Sequence, residues 1–324
     1  MKAAFDLVGV GLNATDTLIL VPHFPPYAGK APFLREILSP GGQVATALAA
    51  CAHLGKSVKY VGTVGDDERG RIQMESLQSL SMNLDDVEIR ANCPNQSAYI
   101  VVDQSTGERT IFWHRPDCLT IDPARITPAT IVSARMLHID GHDTPAAVKA
   151  AAIARQHAIP VSVDVDTIYP GFAQVLPNVD YLVASTGFPA GFTGETNPLR
   201  ALAQIQNEYG MPIAAMTLGE HGSLARTAKG GYVYSPGFIV DCVDTTGAGD
   251  VFHGAFCYAV LEEWPIPETL EFANAMAALN CTKFGARGGI ASFRQVRSLM
   301  RSPQRRSHPD FAPFEVTSEA KPRA

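Results

Sequence analysis

Two rhythms of apolar residues alternate along the chain. Short runs of β-branched and aliphatic residues predict strands at 5–10, 58–61, 136–139, 160–165, 181–184 and 213–217. Between them, helical patterns begin at recognisable start signals. Gly41-Gly42 opens an Ala-rich helix running to about Leu54, a second helix covers 71–80, and Asn197-Pro198 starts another. Thr144-Pro145 predicts a further start, with an N-cap and a proline at the first helical position. From Gly247 onward, Val251, Phe252, Ala255, Phe256, Ala259 and Val260 form one apolar stripe of an amphipathic helix. This alternation predicts an α/β fold, a mostly parallel sheet sandwiched by helices.

Two stretches depart from it. Residues 17–21 and 33–38, with 97–102 and 109–113 about the turn Ser105-Thr106-Gly107-Glu108, read as strands without intervening helices. They predict a small antiparallel β lid, drawn from about 15–38 and 97–115, inserted into one domain spanning 1–300. Residues 301–324 are polar, basic and proline-containing, with no period, and read as a tail whose order must come from packing elsewhere.

Composition narrows the function classes. With 46% hydrophobic and 18% charged residues, 27 Gly and 23 Pro, the chain is neither collagen-like nor wholly disordered. A net charge of −6 argues against a nucleic-acid surface, yet leaves room for a local anion site. No apolar run approaches the roughly 18 residues of a membrane span. Met1-Lys2-Ala3-Ala4 followed by Asp6 does not resemble an export signal, so a cytoplasmic location is expected. Six scattered cysteines without a CxxC pair predict reduced thiols, with neither a zinc ribbon nor a disulfide framework.

Three motif matches carry little. Gly9-Val10-Gly11-Leu12-Asn13-Ala14 satisfies a dinucleotide fingerprint, but Thr17, Ile19 and Val21 continue as a strand where that site needs a helix. Leu54-Gly55-Lys56-Ser57 ends a helix, whereas a phosphate loop starts one. His138 and His142 have helical metal-ligand spacing but lie at a strand end beside Gly141, which favours a structural role.

Asp244-Thr245-Thr246-Gly247-Ala248-Gly249-Asp250 is different. Three small residues before an amphipathic helix let a ligand approach unpaired N–H groups at the positive end of the helix dipole. A phosphoryl group suits such a site, and a carboxylate there is anomalous unless it accepts a proton from an incoming hydroxyl. From the residues alone, Asp250 is equally a helix-start residue.

This segment, followed by Phe252, Gly254 and Ala255, resembles the C-terminal signature of the ribokinase-like (PfkB) carbohydrate and nucleoside kinases. Ser39-Pro40-Gly41-Gly42-Gln43-Val44-Ala45 resembles their N-terminal GG signature, and Val64-Gly65-Asp66-Asp67-Glu68-Arg69-Gly70 their VGDDxxG continuation. The resemblance implies a ribokinase-like fold and ATP-dependent phosphorylation of a sugar hydroxyl. Asp250 would be the catalytic base, and the Gly247, Ala248 and Gly249 amides would receive the γ-phosphate. Asp16, Gly42, Thr46 and Asp140 would contact the substrate. Ser185, Thr217, Gly219, Gly222 and Asn274 would lie on the nucleotide side. Asp244 and Thr246, with the 281–286 loop, match where relatives hold a potassium-type ion.

Two departures qualify the resemblance. Thr46 stands where many relatives have Asn. Ser185-Thr186-Gly187-Phe188 replaces NxxE, so Mg²⁺ would arrive with ATP and find little dedicated protein ligation, Asp164 or Asp166 helping at most one at a time. The lid turn and Leu137-His138-Ile139-Asp140-Gly141 are more similar to the ketohexokinase-like branch, which implies a ketose or related sugar. The residues leave Asp140 open as an Asx cap. Arg109, His114 and Arg115 are open as solvent-facing charges or as holders of a phosphorylated sugar. Exposed lid edges imply a homodimer. A nucleoside acceptor stacked by Phe112 and Trp113, or a non-catalytic sensor, are the competing readings.

Overall fold

The structure is a computed structural model that describes residues 3–315. The readings on Met1-Lys2 and on 316–324 lie outside the described residues. In chain order the strands are β1 (Phe5–Val10), β2 (Ala14–Val21), β3 (Arg35–Gly41), β4 (Val58–Gly65), β5 (Asn83–Arg90), β6 (Ser97–Asp103), β7 (Arg109–His114) and β8 (Ala134–Asp140). There follow β9 (Val161–Val165), β10 (Tyr181–Ala184), β11 (Ile213–Thr217), β12 (Ser223–Thr227), β13 (Tyr232–Ser235), β14 (Gly237–Phe238) and β15 (Arg305–Arg306). The helices are α1 (Gln43–His53), α2 (Glu68–Ser79), α3 (Pro128–Val132), α4 (Thr144–Gln156), α5 (Phe188–Thr193), α6 (Pro198–Tyr209), α7 (Ala248–Leu261), α8 (Ile266–Asn280) and α9 (Phe293–Leu299).

The main sheet has the order β13-β12-β11-β10-β9-β8-β1-β4-β5, parallel from β11 to β5 and antiparallel at the β12 and β13 edge. Helices cover both faces. Val8 and Val10 of β1 pack with Ala147 and Ala150 of α4, whereas Leu7 turns to the opposite face with Val44 and Leu48 of α1. That is the period-2 alternation of a strand, and burial on both faces is why β11, IAAMT, reads as a near-continuous apolar run. On the α1 face, α1 and α7 touch backbone to side chain. A Cβ on Gly254 would fall 2.3 Å from the Ala47 carbonyl oxygen, so only glycine lets these two helices bring their N-termini to one place.

The lid is a four-stranded sheet in the order β3-β2-β6-β7. Its outer pairs are antiparallel, while the central β2–β6 pair is parallel, because the chain returns through the main sheet between them. β7 is exposed along its whole length. No helix among the described residues is long and apolar enough to cross a membrane.

Several local expectations change. β5 was absent from the sequence reading because its residues NLDDVEIR are polar and only partly buried at the sheet edge. α2 starts at Glu68, capped by Asp67, whose carboxylate accepts from Gly70 N. α4 has Asp143 as its N-cap residue instead of Thr144, and that carboxylate is held by Arg115, which makes Arg115 a buried structural cation. The cysteine expectation is corrected too. Cys93 and Cys118 form a disulfide with Cα atoms 6.1 Å apart, because the loops after β5 and β7 meet over the end of β4, a proximity that spacing along the chain conceals. Cys51, Cys242, Cys257 and Cys281 are free. Residues 301–315 dock through β15 on β14, with Phe311 buried and His308 N donating to Tyr234 Oη.

Candidate active site

The DTTGAGD segment forms the start of α7 as its residue types suggest. Gly247 is the N-cap in a left-handed conformation (φ 73°), and a Cβ there would fall 2.3 Å from the Ala286 carbonyl oxygen. The same Ala286 lies against the GG segment. A Cβ on Gly41 would meet Ala286 Cβ at 3.7 Å and Asp16 Oδ2 at 2.8 Å. Ala286 thus packs against both the α7 N-terminus and the GG segment, and the two glycines make the approach possible. Gly249 faces open space, while Ala248 N–H donates to Thr245 O.

Asp250 sits in the first turn of α7, half-buried. Burial and the nearby Asp164 charge push its carboxyl up to about 7, against opposing pulls from His253 and Arg109. Asp16 is 6% exposed, and its Oδ1 has no partner among the described residues. Burial raises it to about 6, opposed by the Ala98 amide and by Arg69 and Arg287. A carboxylate oxygen buried without a donor has capacity for one.

Other expected residues act at one remove. Asp140 is braced: Oδ2 accepts from Leu12 N at 2.7 Å and Oδ1 from His142 N at 3.0 Å. Burial raises its pKa to about 7. This is an Asx arrangement, tying the β1 and β8 loop ends. Thr46 is fully buried, and its Oγ1 accepts from Arg287 Nε at 3.1 Å. Gly42, at the α1 N-cap, packs on the Asn13 backbone with φ 91°.

On the nucleotide side, Leu218 N–H donates to Gly222 O, Thr186 Oγ1 donates to Thr217 O, and Ser185 N–H donates to Val165 O. Gly219 opens on free space. Asn274 is buried, not an exposed helix position, and its Nδ2 donates to Ser235 O at 3.0 Å. A cavity of about 290 Å³ adjoins this loop, lined by Thr186, Leu218 and His221 and, from the tail, His308, Asp310 and Phe311.

Asp244 links the anion segment to the 281–286 loop, accepting from Thr246 N and from Gly285 N, each at 2.8 Å. Thr246 Oγ1 is buried and without a partner among the described residues, an oxygen of the type a monovalent cation takes. Among those residues no group of three or more His, Cys, Asp or Glu side chains could hold a metal. Asp164, considered for magnesium, instead lies 3.0 Å from His253 Nε2, one turn behind Asp250, and Asp166 is exposed. Arg109 reaches from the lid to Thr245 Oγ1 at 2.7 Å, and Thr245 also donates to Gly107 O, so the lid turn rests on the anion segment.

Two participants escaped the sequence reading: His253 and Arg287. His253 was not singled out, lying among the apolar residues of α7. Arg287 directly follows the 281–286 loop, a weak signal that gained meaning only once that loop was seen to pack under the GG segment.

An open α/β sheet, with a glycine-cradled helix start beside two desolvated carboxylates, is the layout of a phosphotransferase acting on an alcohol. The chain belongs to the pfkB family of carbohydrate kinases: residues 35–292 match that family. It is 31% identical over 292 residues to an ATP-dependent ribose-1-phosphate kinase of Halopiger xanaduensis, covering 87% of this chain and 95% of that one. Its fold matches Arabidopsis thaliana ribokinase complexed with ribose and ATP, at TM-score 0.77 and 23% identity over 92% of this chain and 99% of the other. A ribokinase II-type structure from E. coli in complex with ATP and Mg²⁺ aligns at TM-score 0.78 and 20% identity, over 92% and 99%. The protein is therefore a sugar kinase with a ribokinase-like fold.

Proposed function

We propose that this kinase transfers the γ-phosphoryl group of ATP to a hydroxyl, preferably primary, of a ketose or related sugar. The observation that carries the reading is that Gly247, three residues before Asp250, and Gly41, which lies against Asp16, both pack on Ala286, while Asp16 keeps an unpartnered oxygen. Asp16 accepts a hydrogen bond from the sugar. Asp250 takes the proton of the attacking hydroxyl as its oxygen bonds to phosphorus and ADP departs, so no covalent phosphoenzyme forms. Amides of Gly247, Ala248 and Gly249 stabilise the developing charge, with Ala248 N–H released from Thr245 O on binding.

Ser185, Thr217, Gly219, Gly222 and Asn274 border the nucleotide. Bound Mg²⁺ would neutralise phosphate charge, and because Phe188 supplies no carboxylate its ligands would come mainly from ATP. The orphan Thr246 Oγ1 beside Asp244 supports a K⁺ ion that would hold the anion segment in shape. Lid closure excludes water. The exposed edge β7, with Trp113 60% and Tyr99 54% exposed on the lid, supports a homodimer paired through the lid in the cytoplasm.

The test is ADP release over fructose, ribose, tagatose, their phosphates, 2-keto-3-deoxygluconate and adenosine. Asp250→Asn is assayed alongside. Undiminished turnover by that variant refutes the base assignment. Adenosine belongs in the panel because Trp113 packs edge-on to His142, which lies against Tyr169, an aromatic row able to stack a base.

A further inference from the structure

We infer that Arg287 seats an anionic substituent of the acceptor, so that the substrate is a sugar already bearing a phosphate or a carboxylate. This rests on the sugar-kinase reading above and narrows it. Arg287 Nε donates to Thr46 Oγ1 at 3.1 Å, one terminal nitrogen to Ser76 Oγ at 3.1 Å, and the other to Gly41 O at 2.9 Å. These bonds fix the guanidinium plane between α1 and α2, beneath the GG segment. All three acceptors are neutral. A guanidinium has five N–H groups, so three bonds leave two without a protein acceptor.

No carboxylate among the described residues lies within ion-pair distance of Arg287. Asp250 and Asp16 feel its charge from further away, and these are the two carboxylates of the acceptor site. Each has other cations to balance it. Asp16 is pulled more strongly by Arg69, whose guanidinium bonds Thr15 O and Thr17 Oγ1, and Asp250 by His253 and Arg109. Arg287 is left as surplus positive charge at the sugar end of the cleft, desolvated and held in one plane. Burying a cation without a counter-ion is costly, and an incoming anion that takes two parallel N–H···O bonds removes the cost. Thr46, fully buried, helps hold this guanidinium in place.

The experiment uses matched acceptors: ribose against ribose 1-phosphate and ribose 5-phosphate, fructose against fructose 1-phosphate, and 2-keto-3-deoxygluconate as the carboxylate arm. Wild type, Arg287→Gln and Arg287→Lys are compared. The wild type should favour a charged member. Arg287→Gln should raise the KM of that member roughly 10- to 100-fold, with a penalty on its neutral counterpart at least about tenfold smaller, and Arg287→Lys should recover much of the loss. Loss confined to phosphates identifies a phosphate seat; loss confined to the acid identifies a carboxylate seat. A wild type that prefers neutral sugars, or an equal KM rise on charged and neutral members, overturns the inference while the kinase reading stands.

Turnover on no acceptor would sink the kinase reading instead. Thermal shift with inorganic phosphate and with gluconate then decides the inference separately. Stabilisation that is larger for wild type and Arg287→Lys than for Arg287→Gln supports it; equal shifts in all three refute it.

Discussion

The proposed acceptor and nucleotide ends of the site are built from different materials. At the acceptor end charge is concentrated: Asp16 with an orphan oxygen, Asp250 pushed up to about 7, and Arg287 without an ion-pair partner among the described residues. At the nucleotide end the work falls to glycines and to backbone groups that satisfy one another, as between Leu218 N and Gly222 O or Asn274 Nδ2 and Ser235 O. Deprotonating an alcohol requires a desolvated carboxylate, which opposes folding. Admitting a nucleotide requires room and free amides, which opposes folding very little. Substitutions at the first end should therefore trade activity for stability, whereas those at the second should lose both.

The strongest way to break this contrast is Asp250→Asn, which should lower kcat by about 10²- to 10⁴-fold and yet raise the melting temperature. The sign follows from linkage. The folded-state pKa lies near 7, above the ordinary 3.8, so the carboxylate contributes a stability loss that develops as pH rises from about 4 to about 7. Asn does not ionise, so the gap between variant and wild type should widen through that window in calorimetric scans. A lower melting temperature for the variant at pH 8 would show that Asp250 is a stabilising helix-start residue after all.

At the opposite end Gly222→Ala should lose both properties. Its Cβ would fall 2.1 Å from Ser235 O at φ 90°, a strain of about 1–3 kcal/mol. The ATP KM should rise together with a fall in melting temperature; a stable variant with unchanged ATP KM would remove this segment from the nucleotide site. The pH profile sharpens the comparison further. Because the base acts ionised, kcat/KM should fall about tenfold per unit below pH 7, and Asp164→Asn, by removing the charge that helps raise Asp250, should move that limb to lower pH. The smallest effect is expected from Thr46→Ala. Losing one neutral acceptor for Arg287 should cost about 1 kcal/mol, read as a several-fold rise in acceptor KM with ATP KM unmoved.

How far the site was legible depended on whether local chemistry sufficed. The strands at Tyr181–Ala184 and Ile213–Thr217 were bounded correctly because core strands of a parallel sheet are apolar throughout. β5 was not, since an edge strand's acids are solvated and leave no period. The α7 N-terminus was legible because small residues, a carboxylate and an amphipathic stripe stand next to one another. Asp140 was not legible in the same way: a carboxylate at a strand end looks the same in sequence whether or not it accepts from two backbone amides, as it does here.

By itself the sequence determined the alternating α/β order, the two glycine signatures and the carboxylate at the helix start, all features encoded in neighbouring residues. Tertiary structure decided what meets across long separations: Ala286 between Gly41 and Gly247, Arg287 under Thr46, Cys93 with Cys118, and the tail strand on β14. The physical reason is that secondary structure and capping follow from short-range sterics and hydrogen bonds. Desolvation and charge pairing, which fix what each of these carboxylates and cations does, exist only after distant segments have packed together.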